Sequence, residues 1–181
     1  MAVTPEQLYE QTLVIRSQIG DEAAFNELLT RNGPWLLLFT QRMLQSSPAQ
    51  IADVTQEIWV AIFRALPGLL DASKFRPWAF RIARDRIYRE YRQRKLPVQP
   101  LDQTMLEELP AAEEVATAAD REQLSHCLDS ISPEHREALM LRFFEDMSYE
   151  EIARVTGATV GTVRSRIHYG KCALRHAWEE K

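Results

Sequence analysis

The chain has 181 residues, 45% of them apolar, and a formal net charge of −4. This length and apolar content allow one or two small domains, each with its own core. The negative total excludes a general polycation, so any binding of nucleic acid must come from a local concentration of positive charge.

Cysteine content and hydropathy exclude further classes of protein. Cys127 and Cys172 are far apart in the sequence and match neither a disulfide framework nor a metal site, so we expect reduced thiols, no metal and no cofactor. We find no signal peptide, and the most apolar run, residues 35–39, is too short to cross a bilayer. We therefore expect a cytoplasmic protein without direct membrane insertion.

The four histidines accompany no nucleophile or ligand set, so the pattern indicates neither an enzyme nor a small-molecule substrate.

Helical periodicity begins near the N-terminus and continues for about half of the chain. A first helix is predicted to start near Pro5. Asp21 can cap a second helix, which is predicted to end at residues 32–33, and Pro34 then opens a third.

A fourth helix is predicted over about 51–66, with apolar residues at steps of four that form one core-facing stripe. Its outer face is polar and carries Asp53, Gln56 and Glu57. The pattern alone indicates a solvated face.

A fifth helix, predicted over about 77–95, is strongly basic. Residues 74–95 hold nine Lys/Arg against two acidic residues, a net charge of +7. Aromatic residues are interleaved with these cations, which is typical of surfaces that bind single-stranded nucleic acid, where each stacked base contributes about 1–3 kcal/mol. Trp78 and Phe80 could equally pack in the core. A solvated basic face is the simpler alternative.

The middle of the chain, residues 96–119, loses the amphipathic pattern. Residues 102–122 hold seven acidic residues against one arginine, a net charge of −6. This composition predicts a flexible acidic linker, most simply a solvated tether, between helical domains at 1–95 and 120–181. Because no stretch shows convincing strand alternation, the predicted fold class is all-α.

The last fifty residues contain the strongest local pattern, which predicts a helix-turn-helix. Ser148 and Glu151 can form a capping box at the start of its first helix, and Gly157 supplies a left-handed turn position. Ala153 lets the two helices cross closely, and Val163 packs the second helix onto the first. The alternative is an ordinary helical hairpin with a solvated basic face.

The second helix of this motif is amphipathic and cationic. Thr159 can cap it, which leaves free backbone N–H groups for a phosphate in the first turn. Arginine can donate two hydrogen bonds to guanine in the major groove and serine can bond several base edges, whereas lysine more often contacts phosphate. The candidate DNA-binding residues are Thr162, Arg164, Ser165, Arg166, His168, Tyr169 and Lys171.

Taken together, the two halves resemble a bacterial sigma factor of the extracytoplasmic-function group. Order, spacing and length agree over nearly the whole chain. The segments that carry the resemblance are DVTQEIWVAIFRAL at 53–66, FRPWAFRIARD at 75–85, SPEHRE at 132–137, SYEEIA at 148–153 and VGTVRSR at 160–166.

The resemblance implies a dissociable initiation subunit that brings core RNA polymerase to promoters, reads their −35 and −10 elements and promotes melting. Asp53, Gln56 and Glu57 would dock on a coiled coil of the largest polymerase subunits. Helix 159–175 would read the −35 element, and the acidic linker would thread near the template channel and the RNA exit path. An anti-sigma factor is a further implied partner.

The segment 75–92 resembles the part of these proteins that captures the non-template strand of the −10 element. There, an extruded base is held in a pocket made by the loop before the helix and by the helix itself. The residues implied for this contact are Phe75, Trp78, Phe80, Arg81, Arg84, Asp85, Tyr88 and Arg92.

Three positions depart from the family pattern. Asp85 replaces an Asn that is common in relatives, and a carboxylate there would repel phosphate or accept from a cytosine amino group. Tyr169 stands where a basic residue is common, so one contact to the −35 element is replaced or missing. The loop 69–73 lacks a frequent glycine, which affects the shape of the base pocket.

Two other functions fit part of the pattern. A stand-alone helix-turn-helix repressor or activator would bind a palindromic duplex tightly without polymerase. An adaptor that only mimics a sigma factor would bind core polymerase without starting transcription.

Overall fold

A computed structural model of the protein describes residues 4–93 and 118–179. All regular elements in these ranges are helical, which confirms the all-α prediction. The helices are α1 (Pro5–Gln18), α2 (Glu22–Leu44), α3 (Pro48–Ala65), α4 (Phe75–Gln93), α5 (Ala118–Ser130), α6 (Pro133–Leu139), α7 (Tyr149–Thr156) and α8 (Val160–Glu179). The predicted linker lies almost entirely outside the described residues.

The N-terminal domain is a bundle of α1 to α4. Each of its first three helices starts at a side-chain cap: Thr4, Asp21 and Ser47 accept backbone N–H groups of the first turns. The apolar stripe predicted on α3 faces the core, where Ile58 and Ile62 are fully buried. Local capping and the period of apolar residues therefore determine where these helices start and which face they bury.

One predicted break in this domain is wrong, because α2 continues through Pro34. Proline removes one backbone hydrogen bond and crowds the preceding turn. Leu28 and Leu36, on either side of this point, are fully buried, and Asn32 donates to the Leu28 carbonyl at 2.9 Å. Packing on both sides therefore holds the helix together across the proline.

The connection from α3 to α4 is built from two short 3-10 turns, Leu66–Gly68 and Ala72–Lys74. Asp71 caps the second turn by accepting from the Ser73 backbone N–H at 2.9 Å. As a result α4 begins at Phe75, two residues before its predicted start, and its basic residues enter the helix at the first turn.

The C-terminal domain contains α5 to α8, and α6 is extended by a π-helical turn, Met140–Phe144. Helices α6 and α8 pack closely at Gly170, where the Cβ of any other residue would lie 3.2 Å from the side chain of Leu139. A glycine therefore permits this approach. Asp146 adopts the left-handed conformation in the loop before α7, with φ 51°.

The two domains pack against each other. The end of α2 lies beside α6, and α4 lies along α7. The Gln45 side chain donates to the Asp129 carbonyl across this boundary at 2.9 Å. In the described ranges, none of the helices combines the length and apolar content needed to cross a membrane.

Candidate nucleic-acid interface

The predicted helix-turn-helix is formed by α7 and α8, and its capping box is confirmed. The Glu151 backbone N–H donates to Ser148 Oγ at 3.2 Å, and the Ser148 N–H donates to Glu151 Oε2 at 3.0 Å. Gly157 ends α7 in the left-handed conformation with φ 69°, and Val163 is fully buried between the two helices. Local sequence signals therefore determine where α7 begins and ends.

The start of α8 presents a polar, exposed first turn. Thr159 accepts from the Thr162 backbone N–H at 3.1 Å, as its predicted capping role requires. Thr162, Arg164 and Ser165 are exposed. The Arg164 guanidinium lies 5.9 Å from the centroid of the Tyr149 ring, so α7 supports it from one side. This surface has the shape and charge of a helix that enters the major groove.

The remaining candidates on α8 differ in exposure. Lys171 is exposed, with its ammonium 4.8 Å from the centroid of the Phe143 ring. Arg166, His168 and Tyr169 are half-buried, and the rings of His168 and Tyr169 contact edge to face with centroids 5.3 Å apart. Ring packing thus occupies position 169, where the resemblance led us to expect a basic residue.

On α4, the candidates fall into three groups. Arg81, Asp85 and Arg92 are exposed. Trp78, Arg84 and Tyr88 are half-buried. Phe75 and Phe80 are fully buried.

The two phenylalanines require a correction, because neither offers a ring face to a nucleic-acid base. Phe80 contacts Phe39 edge to face, with ring centroids 5.0 Å apart, and its centroid lies 4.4 Å from that of Trp35. Phe75 lies beside Trp78 at a centroid distance of 6.2 Å. Both rings belong to the core of the bundle, so their predicted contact with bases is not retained.

A cavity of about 740 Å³ adjoins the loop that was predicted to form a base pocket. Its walls include the turn at Ala72–Lys74 and the start of α4. The cavity is not limited to these elements, because α1 and the loop at 144–147 of the C-terminal domain also line it. In this conformation the two domains therefore share the cavity.

The predicted docking face on α3 is exposed. Asp53, Gln56 and Glu57 all lie on the outer side of the helix. Glu57 forms an ion pair with Arg86 of α4, while its side chain remains 55% exposed. Val60 and Phe63, further along the same helix, are 41% and 53% exposed, so exposed apolar side chains adjoin the acidic face.

Family models match both domains of the chain. A model described as Sigma-70 region 2 matches residues 28–96, and one described as Sigma-70, region 4 matches residues 121–174. The ECF RNA polymerase sigma-E factor of Escherichia coli (strain K12) is 32% identical over 93% of this chain and 94% of its own length. The chain belongs to the extracytoplasmic-function sigma factors. It therefore directs RNA polymerase to promoters, binds core polymerase and promoter DNA, and is not an enzyme.

Solved structures show the same fold as this sigma factor. CnrH, in complex with the cytosolic domain of CnrY, superposes with a TM-score of 0.71 at 24% identity and covers 96% of this chain and 99% of its own. The sigma factor RpoE of Bartonella quintana, in complex with the anti-sigma factor NepR, gives a TM-score of 0.68 at 24% identity over 86% of this chain and 96% of its own.

A contact between the two domains of the sigma factor was missed by sequence reasoning. Glu137 of α6 is fully buried. Its Oε1 forms an ion pair with Arg84 Nε at 2.9 Å, although the two groups are not aligned for a hydrogen bond. Its Oε2 accepts a hydrogen bond from the Tyr88 hydroxyl at 3.1 Å. Burial raises the pKa of Glu137 to about 7, although Arg84 opposes the shift. A carboxylate of region 4 is thus held on the candidate −10 surface of region 2.

Two further ion pairs join the same surfaces. Arg76 Nη2 donates to Glu145 Oε2 at 2.5 Å, and the Glu145 side chain is 6% exposed. Burial raises the pKa of Glu145, and Arg76 opposes this shift. Lys74 lies 3.8 Å from Glu151 in a partly exposed pair. The basic segment 74–84, which runs from the second 3-10 turn into the middle of α4, therefore faces three carboxylates of the C-terminal domain.

Arg136 joins the domains through backbone oxygens. It is 3% exposed, and its guanidinium donates to the carbonyls of Leu128, Asp129 and Ile131 at 2.7–3.0 Å. It also donates to the Arg42 carbonyl at the end of α2 at 2.8 Å. These bonds satisfy carbonyls at the ends of two helices from different domains.

Proposed function

We propose that this sigma factor reads its promoters with two separate surfaces, α8 for the −35 element and α4 for the non-template strand of the −10 element. The observation that carries the assignment to α8 is the exposed first turn with Thr162, Arg164 and Ser165 on a correctly capped helix-turn-helix. Arg164 and Ser165 contact base edges, and Lys171 contacts phosphate. Arg166, His168 and Tyr169 support or extend this contact from half-buried positions.

The −10 surface consists of the cations and rings of α4 that are not in the core. Arg81 and Arg92 are exposed on it, and they attract the backbone of the melted strand. Trp78 and Tyr88 provide rings for base stacking. Asp85, which is 68% exposed, accepts from a cytosine amino group and selects against phosphate at that point.

The polymerase-binding surface is the outer face of α3. Asp53, Gln56 and Glu57 contact a basic coiled coil of the largest subunits, and their exposure on one helix supports this role. The proposed domain limits are 1–95 for region 2, 96–119 for the linker and 120–181 for region 4.

A regulatory partner completes the proposal. CnrH is found with the cytosolic domain of CnrY, and RpoE of Bartonella quintana with the anti-sigma factor NepR. We infer by analogy that an anti-sigma factor also binds this chain. The site of action is the cytoplasm, where core polymerase and promoter DNA are present.

The test is transcription from a library of randomised promoters by core polymerase, with and without the purified protein. We expect start sites that depend on the protein and share two elements at a fixed spacing. A stand-alone regulator would give no such starts and would bind a palindromic duplex by itself. A sigma mimic would bind core polymerase and yield no starts.

Replacing Arg164 by alanine separates base reading from phosphate contact on α8. Because an arginine that donates two hydrogen bonds to guanine contributes about 1–3 kcal/mol of discrimination, Arg164→Ala should weaken holoenzyme binding to the correct −35 sequence by that amount and relax the preference at one position. Lys171→Ala is the comparison, since loss of a phosphate contact should weaken all sequences alike and reduce the salt dependence. Equal weakening on every sequence by Arg164→Ala would show that Arg164 contacts only phosphate.

A further inference from the structure

The cations of α4 differ in the side of the helix on which they lie. Arg81, Arg89 and Arg92 are exposed, whereas the side chain of Arg86 is only 17% exposed. Arg86 is directed toward α3, and it is not among the residues that we assign to the −10 strand. Its contacts are with carboxylates of the N-terminal domain, and they indicate a different role.

Arg86 forms ion pairs with two glutamates. Its Nη1 lies 3.1 Å from Glu90 Oε1, one turn later on α4, and its Nη2 pairs with Glu57 Oε2 of α3. A guanidinium holds its N–H donors in a fixed planar fork, so it can engage both carboxylates at once. Glu57 belongs to the proposed polymerase-binding face of α3. Arg86 therefore links that face to α4.

The three side chains become more exposed from Glu90 toward Glu57. The side chain of Glu90 is 10% exposed, that of Arg86 is 17% exposed and that of Glu57 is 55% exposed. A buried carboxylate without its cation is strongly unfavourable, so the pair with Glu90 anchors Arg86. The anchored guanidinium in turn restricts Glu57, whose side chain would otherwise sample several rotamers at an exposed position.

Arg86 has two effects on the binding of a basic partner, and they have opposite signs. Ordering a flexible side chain at an interface opposes association, so a Glu57 side chain that is already ordered strengthens binding. The positive charge of Arg86 would repel a basic coiled coil and weaken binding. Glu90 offsets this repulsion, because Arg86 and Glu90 together have no net charge. The ordering of Glu57 is therefore the larger effect.

We propose that Arg86 is a positioning residue for polymerase docking, which holds the Glu57 carboxylate in the orientation that the coiled coil meets. The proposal rests on the assignment of α3 to the polymerase-binding surface. Arg86 acts through Glu57 and is anchored by Glu90, and it needs no contact of its own with polymerase. One side of α4 thus serves polymerase binding, while the exposed Arg81 and Arg92 serve the DNA strand.

Replacing both Arg86 and Glu90 by methionine tests this role in the full-length chain. The double variant keeps the net charge and leaves no buried carboxylate without its cation. Its affinity for core polymerase, measured by fluorescence anisotropy, should fall about threefold to tenfold, as expected for the ordering of one long side chain. Arg154→Met with Glu150→Met is the matched control, because it removes the same residue types at the same spacing from exposed positions of the C-terminal domain.

The same double change in a Glu57→Gln background separates positioning from a general effect on the fold. If Arg86 acts through Glu57, the two methionine substitutions should have little further effect once Glu57 has been replaced. A defect in the fold would instead lower the affinity equally in both backgrounds. Such an equal loss, or a methionine variant that binds polymerase as tightly as the wild type or more tightly, would overturn the proposal.

Glu57→Gln alone shows which of two assignments has failed. If it binds polymerase like the wild type, α3 is not the docking surface, and the role of Arg86 falls with that assignment. If it weakens binding and the methionine variant does not, only the role of Arg86 fails.

Arg86→Lys decides the matter if the methionine variant does not fold, which circular dichroism would show. An ammonium is a point charge that cannot engage two carboxylates as the guanidinium fork does. Arg86→Lys should therefore weaken polymerase binding less than the methionine variant, and the loss should again disappear with Glu57→Gln. Wild-type affinity of Arg86→Lys would then count against the positioning role.

Discussion

Replacing both Asp53 and Glu57 by lysine should abolish binding to core RNA polymerase and leave the protein folded. Both side chains lie on the exposed face of α3, so the substitution removes no core contact. It does replace two anionic groups by cations on a surface that we propose meets a basic coiled coil, and like charges at an interface cost several kcal/mol. Binding can be measured by fluorescence anisotropy of labelled protein titrated with core polymerase.

The ion pair between Glu57 and Arg86 determines how this experiment is controlled. Lysine at position 57 would repel Arg86, so the thermal unfolding of the variant must be compared with that of the wild type. The loss in stability should be small, because the Glu57 side chain is 55% exposed. Glu22→Lys with Glu150→Lys gives the same change in net charge at other exposed sites. A folded Asp53/Glu57 variant that still binds polymerase would remove α3 from the docking surface.

The helix-turn-helix was predictable because its signals are local. Ser148 and Glu151, which are three residues apart, form the capping box at the start of α7. Gly157 ends the helix in the left-handed backbone conformation, which glycine adopts without strain. None of these features depends on the rest of the fold. The structure therefore has the same caps, turn and buried Val163 that the sequence predicts.

The break predicted at Pro34 shows the limit of local signals. A proline weakens a helix by removing one hydrogen bond, but its neighbours in α2 pack into the core before and after it. Packing of this kind is a property of the folded bundle and is not visible from the proline itself. The sequence predicts two helices where the bundle requires one.

The contact around Glu137 was missed for a related reason. Residues 133–139 mix charged and apolar side chains, and a charged residue in such a helix is normally solvated. Its burial depends on Arg84 and Tyr88, about fifty residues earlier in the chain. The signal available in the sequence was opposite charge, because α4 is strongly basic and attracts carboxylates. That signal does not indicate which carboxylate pairs with Arg84.

The aromatic residues of α4 could not be divided between core and surface from the sequence. Phe80 and Trp78 are two residues apart and both lie in a basic helix, so composition assigns them the same role. In the bundle, Phe80 faces Phe39 and Trp35 and is fully buried, whereas Trp78 stays half-buried. Only the direction in which α4 packs on α2 separates these two roles.

Phe80→Ala should therefore destabilise the N-terminal domain by about 3–5 kcal/mol, the usual result of removing a buried phenylalanine ring. Urea unfolding followed by tryptophan fluorescence measures this directly, because the Trp35 ring lies 4.4 Å from the Phe80 ring. Phe63→Ala is the matched control, since Phe63 is 53% exposed and should cost far less. Trp78→Ala should chiefly weaken binding of the holoenzyme to single-stranded −10 DNA. If Phe80→Ala instead left the unfolding transition unchanged and weakened DNA binding, the ring would contact bases and its place in the core would be wrong.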